Sequence, residues 1–200
     1  MKAARKVKVL GINGSPRIGG NTDILLDRIL AGARDKGADT EKIILNKLRI
    51  APCQESANPR SDGQCMLKDD MSGVYKKVKT ANAIILASPI FFGSVSAQTK
   101  TMIDRFQCAW RAKYVLKKDL FGEKKIGAFV SVAAFDRKDF FENARAIARN
   151  LFAAINVEYK GELFFSGLEK KGDVLKHPDF LEKAYELGCN MSEMLIKGDK

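Results

Sequence analysis

Lys6-Val7-Lys8-Val9-Leu10-Gly11-Ile12-Asn13-Gly14-Ser15-Pro16-Arg17-Ile18-Gly19-Gly20-Asn21-Thr22 is the stretch that decides the fold. Its first half turns apolar as it proceeds, which predicts a strand buried towards its end. Gly14 to Gly20 predicts a loop. Asn21 or Thr22 can cap a helix with apolar positions at Ile24, Leu25, Ile29, Leu30 and Ala33, and Gly37 ends it. Strand, glycine-rich loop and helix, in that order, open a parallel α/β sheet.

Outward from there the same alternation continues. Thr40 to Leu48 predicts a second strand. Residues 49–68 are rich in Pro, Ser, Asn, Asp and Gly, and an irregular stretch of that length inside a compact domain is usually functional. Met71 to Ala81 suits a helix, and Ala83 to Ser88 suits a strand buried on both faces. Pro89 to Ser94 forms a second loop before a helix from Ser96 to Lys113. Lys125 to Val132 and residues 157–166 complete the strands; Arg137 to Asn156 and Pro178 to Leu195 complete the helices. The expected fold is α/β with three layers: a five-stranded parallel sheet, order 2-1-3-4-5, with helices on both faces. The 200 residues are expected to form a single domain, 1–200.

Apolar residues make up 46% of the chain, enough for a sizeable core. No run approaches a membrane span, and the basic start lacks the apolar stretch and cleavage site of a signal peptide. A cytoplasmic protein without a membrane partner is expected. The net charge of +11 is strongest in the first eight residues and between Arg111 and Lys125. Such a surface can attract nucleic acid or an acidic or phosphorylated partner, or serve solubility alone. No nucleic-acid-binding motif accompanies it, so nucleic acid is not the expected partner.

The four cysteines, Cys53, Cys65, Cys108 and Cys189, do not make a disulfide framework. Cys108 and Cys189 fall in predicted helices and read as buried, unreactive thiols. His177, the only histidine, precedes Pro178 at a helix entrance and reads as structural. Asp69-Asp70 before Met71 reads as an N-cap and a first-turn charge pair.

Two loops carry the functional signal. In Gly14 to Thr22, successive backbone N–H groups and a helix N-terminus can converge on an anion, with Ser15, Asn21 and Thr22 as further donors and Arg17 as a full charge. The loop lacks the lysine of nucleotide-triphosphate loops and the spacing of the dinucleotide fingerprint. Alone it is also readable as an ordinary turn between strand and helix, though its donors favour an anion. In Ser88-Pro89-Ile90-Phe91-Phe92-Gly93-Ser94, a flat ring can pack against the aromatics while Gly93 lets the backbone approach closely; alone, these aromatics could equally cap the core. In strand order 2-1-3-4-5 the two loops are neighbours at the switch point. Together they suit a mononucleotide with a planar head, and FMN has that shape.

These residues resemble the NADPH-dependent FMN reductase superfamily, and within it the branch of iron–sulfur flavoproteins and related multimeric flavodoxin-like proteins. The matching segments are Gly14-Ser15-Pro16-Arg17 with Gly20-Asn21-Thr22, then Asp69-Asp70-Met71, then Ser88 to Gln98 continued by Lys100 and Ile103-Asp104-Arg105. The resemblance implies a flavodoxin-like fold. It implies FMN, with its phosphate at Ser15, Arg17, Asn21 and Thr22, Pro16 shaping the loop, and the ring along Pro89, Ile90, Phe91, Phe92, Gly93 and Ser94. It implies electrons taken from NADPH or NADH and passed to a quinone, flavin, nitro-compound or protein acceptor, with no side-chain acid or base required. A homodimer or homotetramer is also implied. The alternative is a non-enzymatic electron carrier partnered with ferredoxin. The loop after Val132, Ala133-Ala134-Phe135-Asp136, lacks the glycines expected of a third contact.

The iron–sulfur flavoproteins carry C-x-x-C-x-x-C and a fourth Cys before Asp-Asp-Met. Here Cys53 and Cys65 remain, while Ser56 and Pro59 hold the second and third ligand positions. A cubic cluster takes four thiolates. No iron–sulfur cluster and no metal ligand is therefore expected, and Cys53 and Cys65 are free to pair under oxidation or to stand unused.

Overall fold

The structure is a computed structural model that describes residues 7–55 and 60–198. Strands β1 (Lys8–Asn13), β2 (Asp39–Ile44), β3 (Ala83–Phe91), β4 (Ser94–Val95), β5 (Lys125–Val132) and β6 (Val157–Phe165) alternate with helices α1 (Asn21–Asp35), α2 (Met71–Thr80), α3 (Ala97–Arg105), α4 (Gln107–Tyr114), α5 (Lys138–Ala154) and α6 (Pro178–Gly198). The long strands are parallel in the order β2-β1-β3-β5-β6, which is the expected 2-1-3-4-5. The two-residue β4 folds back antiparallel on the end of β3. No helix among the described residues is long and apolar enough to cross a membrane.

Period-two alternation in the central strands feeds two cores. Leu10, Ile12, Ile84, Leu86 and Phe129 face the layer of α2, α3, α4 and α5. Val9, Ile85, Ala87, Ala128 and Val130 face α1 and α6. On that second face the helices approach closely. A Cβ on Gly32 would stand 2.1 Å from the Tyr185 carbonyl oxygen, and one on Gly188 would stand 1.9 Å from that of Ile29. Glycine is required where α1 and α6 cross.

Four departures from expectation have a local reason. β2 stops at Ile44 and a 3₁₀ turn takes Leu45–Lys47. β3 runs on through Pro89 to Phe91, because β1 has ended by then (Asn13 pairs with Ala87) and the missing proline N–H costs no ladder bond on that side. The expected long helix breaks into α3 and α4 at Phe106, with no glycine or proline to signal it. There the Phe106 ring turns into the core, edge-on to Tyr75 at 5.2 Å. Gly20, rather than Asn21 or Thr22, occupies the N-cap of α1, which leaves both side chains for other partners.

Candidate functional site

The carboxyl ends of β1, β3 and β5 open into a cavity of about 770 Å³. Ser15, Arg17, Gly20, Asn21 and Thr22 form one end of it, and Pro89, Ile90, Phe91 and Phe92 form a side. Of the sequence-expected residues, Pro16, Gly93 and Ser94 stand behind the lining. The Pro16 carbonyl accepts Asn46 Nδ2 at 3.1 Å, and Ser94 pairs with Phe91 across the hairpin.

The first loop is shaped by its own side chains. Asn13 Oδ1 accepts the Ser15 N–H at 2.8 Å, and Ser15 Oγ accepts the Arg17 N–H at 3.1 Å. The buried Asp23 carboxylate accepts from Gly19 N at 2.7 Å, Asn13 Nδ2 at 2.8 Å and Lys42 Nζ at 2.9 Å. Burial pushes the Lys42 ammonium down, but its hydrogen bonds to Asp27 and Asp23 outweigh this and hold it above its ordinary value. The Asn21 amide is spent on the loop after β6: Nδ2 donates to Lys170 O at 2.9 Å and Oδ1 accepts Val174 N at 3.1 Å. Arg17 Nη1 donates to Glu169 O at 3.0 Å. A helix leaves its first-turn N–H groups without intrahelical partners, and here that turn opens on the cavity at Gly20, Asn21 and Thr22.

Buried hydroxyls tie the three strand ends together. Ser96 Oγ donates to Gly14 O at 2.6 Å, Ser96 N donates to Ser88 Oγ at 3.0 Å, and Ser131 Oγ donates to Ser88 O at 2.8 Å. Gly14 admits no side chain, since a Cβ there would fall 1.7 Å from Thr99 Oγ1. Phe91 and Phe92 do not cap the core: Phe92 is 108% exposed, at the tip of the β3–β4 hairpin. Gly93 serves the turn and the contact with α5, where Phe140 would meet its Cβ at 3.0 Å.

Two further walls complete the cavity, one from the loop after Val132, which the sequence left uncommitted as a third contact, and one that the sequence did not suggest. Val132 to Arg137 lines the cavity despite its lack of glycine, with Phe135 73% exposed. Leu168, Glu169 and Lys171 line it from beyond β6, beside Arg17 and Asn21. The resemblance pointed to the first of these, and for the second the available signal was topological, since it follows a strand that ends at this edge of the sheet.

The cysteine expectation needs one correction. Cys108 is not a remote core thiol. It is partly exposed, and from α4, after the break at Phe106, it lines a second cavity together with Cys53 and Cys65. Cys189 lies elsewhere, against Gly32 O at 3.5 Å. The loop is anchored by Asp69, which accepts from Arg105 Nη1 at 2.5 Å, Ala51 N at 2.9 Å and Met71 N at 3.1 Å. Burial raises the Asp69 carboxyl, yet these hydrogen bonds outweigh it and hold the group below the usual carboxylate range. This replaces the simple charge-pair reading of Asp69. Ser56 and Pro59 lie outside the described residues. His177 stacks on Phe180 at 4.7 Å, in keeping with a structural role.

Residues 7–157 match the family described as NADPH-dependent FMN reductase. The chain belongs to that family. The FMN reductase family relatives include an iron–sulfur flavoprotein of Methanosarcina thermophila, 33% identical over 126 residues, which is 63% of each chain. An iron–sulfur flavoprotein of Methanocaldococcus jannaschii is 38% identical over 122 residues, 61% of this chain and 63% of that protein. The chain therefore spans under two thirds of these relatives' length in the match. Among solved structures, the NAD(P)H:quinone oxidoreductase from Methanothermobacter marburgensis superposes with a TM-score of 0.66 at 15% identity, over 93% of this chain and 99% of that one. That likeness shows the flavodoxin-like fold.

The cavity's donor set fits the family's flavin: a guanidinium and helix-end amides at one end, apolar and aromatic walls along the rest. Cys53, Cys65 and Cys108 line the second cavity, and Cys189 is on α6. Among the described residues, no group of three or more ligating side chains is placed to hold a metal ion.

Proposed function

We propose that this chain is an FMN-dependent NAD(P)H oxidoreductase without an iron–sulfur cluster. The observation that carries the reading is the polarity of the cavity at the β1/β3 switch point, cationic and amide-rich at Arg17, Asn21 and Thr22, apolar from Pro89 to Phe92. Bound FMN would supply the redox chemistry, accepting hydride from a nicotinamide and releasing electrons to an acceptor. The chain's part is positioning. Arg17 and the first turn of α1 hold the phosphate; Asp23 and Asn13 fix the loop that presents them; Phe91, Phe92 and Phe135 exclude water from the ring. The positive charge of Lys171 and Arg137 in the lining would favour the extra phosphate of NADPH. A quinone, free flavin, nitro-compound or protein serves as acceptor. The exposed Phe92 and Phe135 at the mouth support association of two or more copies there.

The test is anaerobic titration of FMN-loaded protein with NADPH and NADH. Bleaching of the flavin band by either, followed by reoxidation with a quinone, is the expected result. Reduction by ferredoxin or dithionite alone would replace the enzyme with an electron carrier. A protein that fails to take up FMN would overturn the reading.

A further inference from the structure

Cys53, Cys65 and Cys108 reach one cavity of about 460 Å³ from both sides of residues 56–59 and from α4. It shares no lining residue with the flavin cavity. Cys65 Sγ accepts from Arg105 Nη2 at 3.3 Å, while Cys108 Sγ stands 3.4 Å from Arg105 O and 3.6 Å from Tyr75 Oη. Arg105 is 1% exposed. Its Nε, and the Nε of Arg111 on the same cavity, are buried with no hydrogen-bond partner among the described residues. Guanidinium N–H groups left in that state are costly and suit an acceptor that the described residues do not supply. Gln64 and Gln107 add amide groups to the lining, and Trp110 an apolar wall.

We propose that this cavity is a thiol–disulfide exchange site, in which Cys65 attacks a small peptide or amino-acid disulfide whose carboxylate is held at Arg111. The Cys65 thiol gives up its proton and its sulfur attacks one sulfur of R–S–S–R. The Cys65–sulfur bond forms as the S–S bond breaks, and the departing RS⁻ takes up the proton and leaves as RSH. One disulfide replaces another, so no external oxidant or reductant is needed. Cys65 is partly exposed, and its Sγ accepts from the Arg105 guanidinium that also holds Asp69, so the attacking sulfur is both reachable and held in place. Cys108 is the poorer nucleophile at neutral pH, since burial pushes its thiol up. The proposal does not rest on the flavin reading, and FMN uptake is measured alongside to keep the two apart.

The experiment incubates the purified full-length protein with glutathione disulfide and follows it by intact mass and peptide mapping. Cys65 is expected to carry the first mixed disulfide. Cys65→Ser abolishes it and Cys189→Ser leaves it unchanged, with FMN uptake and circular dichroism intact in both. Arg111→Gln slows exchange with glutathione disulfide about tenfold, the worth of a charged hydrogen bond, and leaves exchange with neutral bis(2-hydroxyethyl) disulfide unaltered. The proposal fails if modification spreads evenly over Cys53, Cys65 and Cys189. It also fails if Cys65 stays unmodified, or if Arg111→Gln slows both disulfides equally.

Discussion

Arg17, the proposed phosphate contact, is the residue by which flavin binding can be divided between phosphate and ring. It is the one full charge on the first loop, and its guanidinium is already oriented by Glu169 O. Arg17→Ala is expected to weaken FMN about tenfold, the lower end for a charged hydrogen bond, and to leave riboflavin binding unchanged by fluorescence quenching. Asp23 acts one step back. Asp23→Asn removes the charge that faces Lys42 and loosens the hold on Gly19 N, and a loss of about 1.5–3 kcal/mol in urea unfolding is expected for such charge-assisted bonds. Asp69 gives a pH signature. Its carboxyl is lower in the folded state than its ordinary value, so the stability it contributes is present above about pH 4 and drains away as pH falls through the folded value. Asp69→Asn should flatten the acid limb of a stability-versus-pH curve. The sequence could name Arg17 because a charge in a glycine-rich loop is a local signal. It could not name the partners of Asp69, since Arg105 lies 36 residues away.

The β3–β4 hairpin shows an element bent to a purpose. Phe92 and Gly93 both have positive φ, +50° and +72°, the combination of a type I′ turn. Asn-Gly is the favoured pair for that turn, and a bulky aromatic there is strained. Phe92→Asn is therefore expected to raise thermal stability by about 1 kcal/mol while lowering affinity for the flavin ring. A rise in both would remove Phe92 from the site. Elsewhere, the α1–α6 crossing admits no extra atom. Gly32→Ala or Gly188→Ala should cost about 1–3 kcal/mol by thermal melting, as overpacked sites do. The strand and helix order was legible because hydrophobic periodicity is local. The hairpin was not, because Pro89 and two aromatics look like loop, and only the early end of β1 makes strand the better place for them.

At the scale of the whole molecule, the site collects residues from 15 to 171. Its two motif-bearing sides were visible in the sequence, the loop after Val132 was left uncommitted, and the segment after β6 was not seen. Ala133 to Arg137 carries none of the glycines that usually advertise a ligand loop, and Leu168 to Lys171 has no motif at all. Both are placed only when the sheet is assembled. The same holds for Cys108, which lines one cavity with Cys53 and Cys65 from beyond the unsignalled break at Phe106.

Asn21 joins the first turn of α1 to the segment before α6 across 149 and 153 residues. A ligand seated on that turn therefore restrains a helix it never touches. Backbone amides of α6 should exchange with deuterium more slowly once flavin is added, and Asn21→Ala should erase that remote protection before it erases binding.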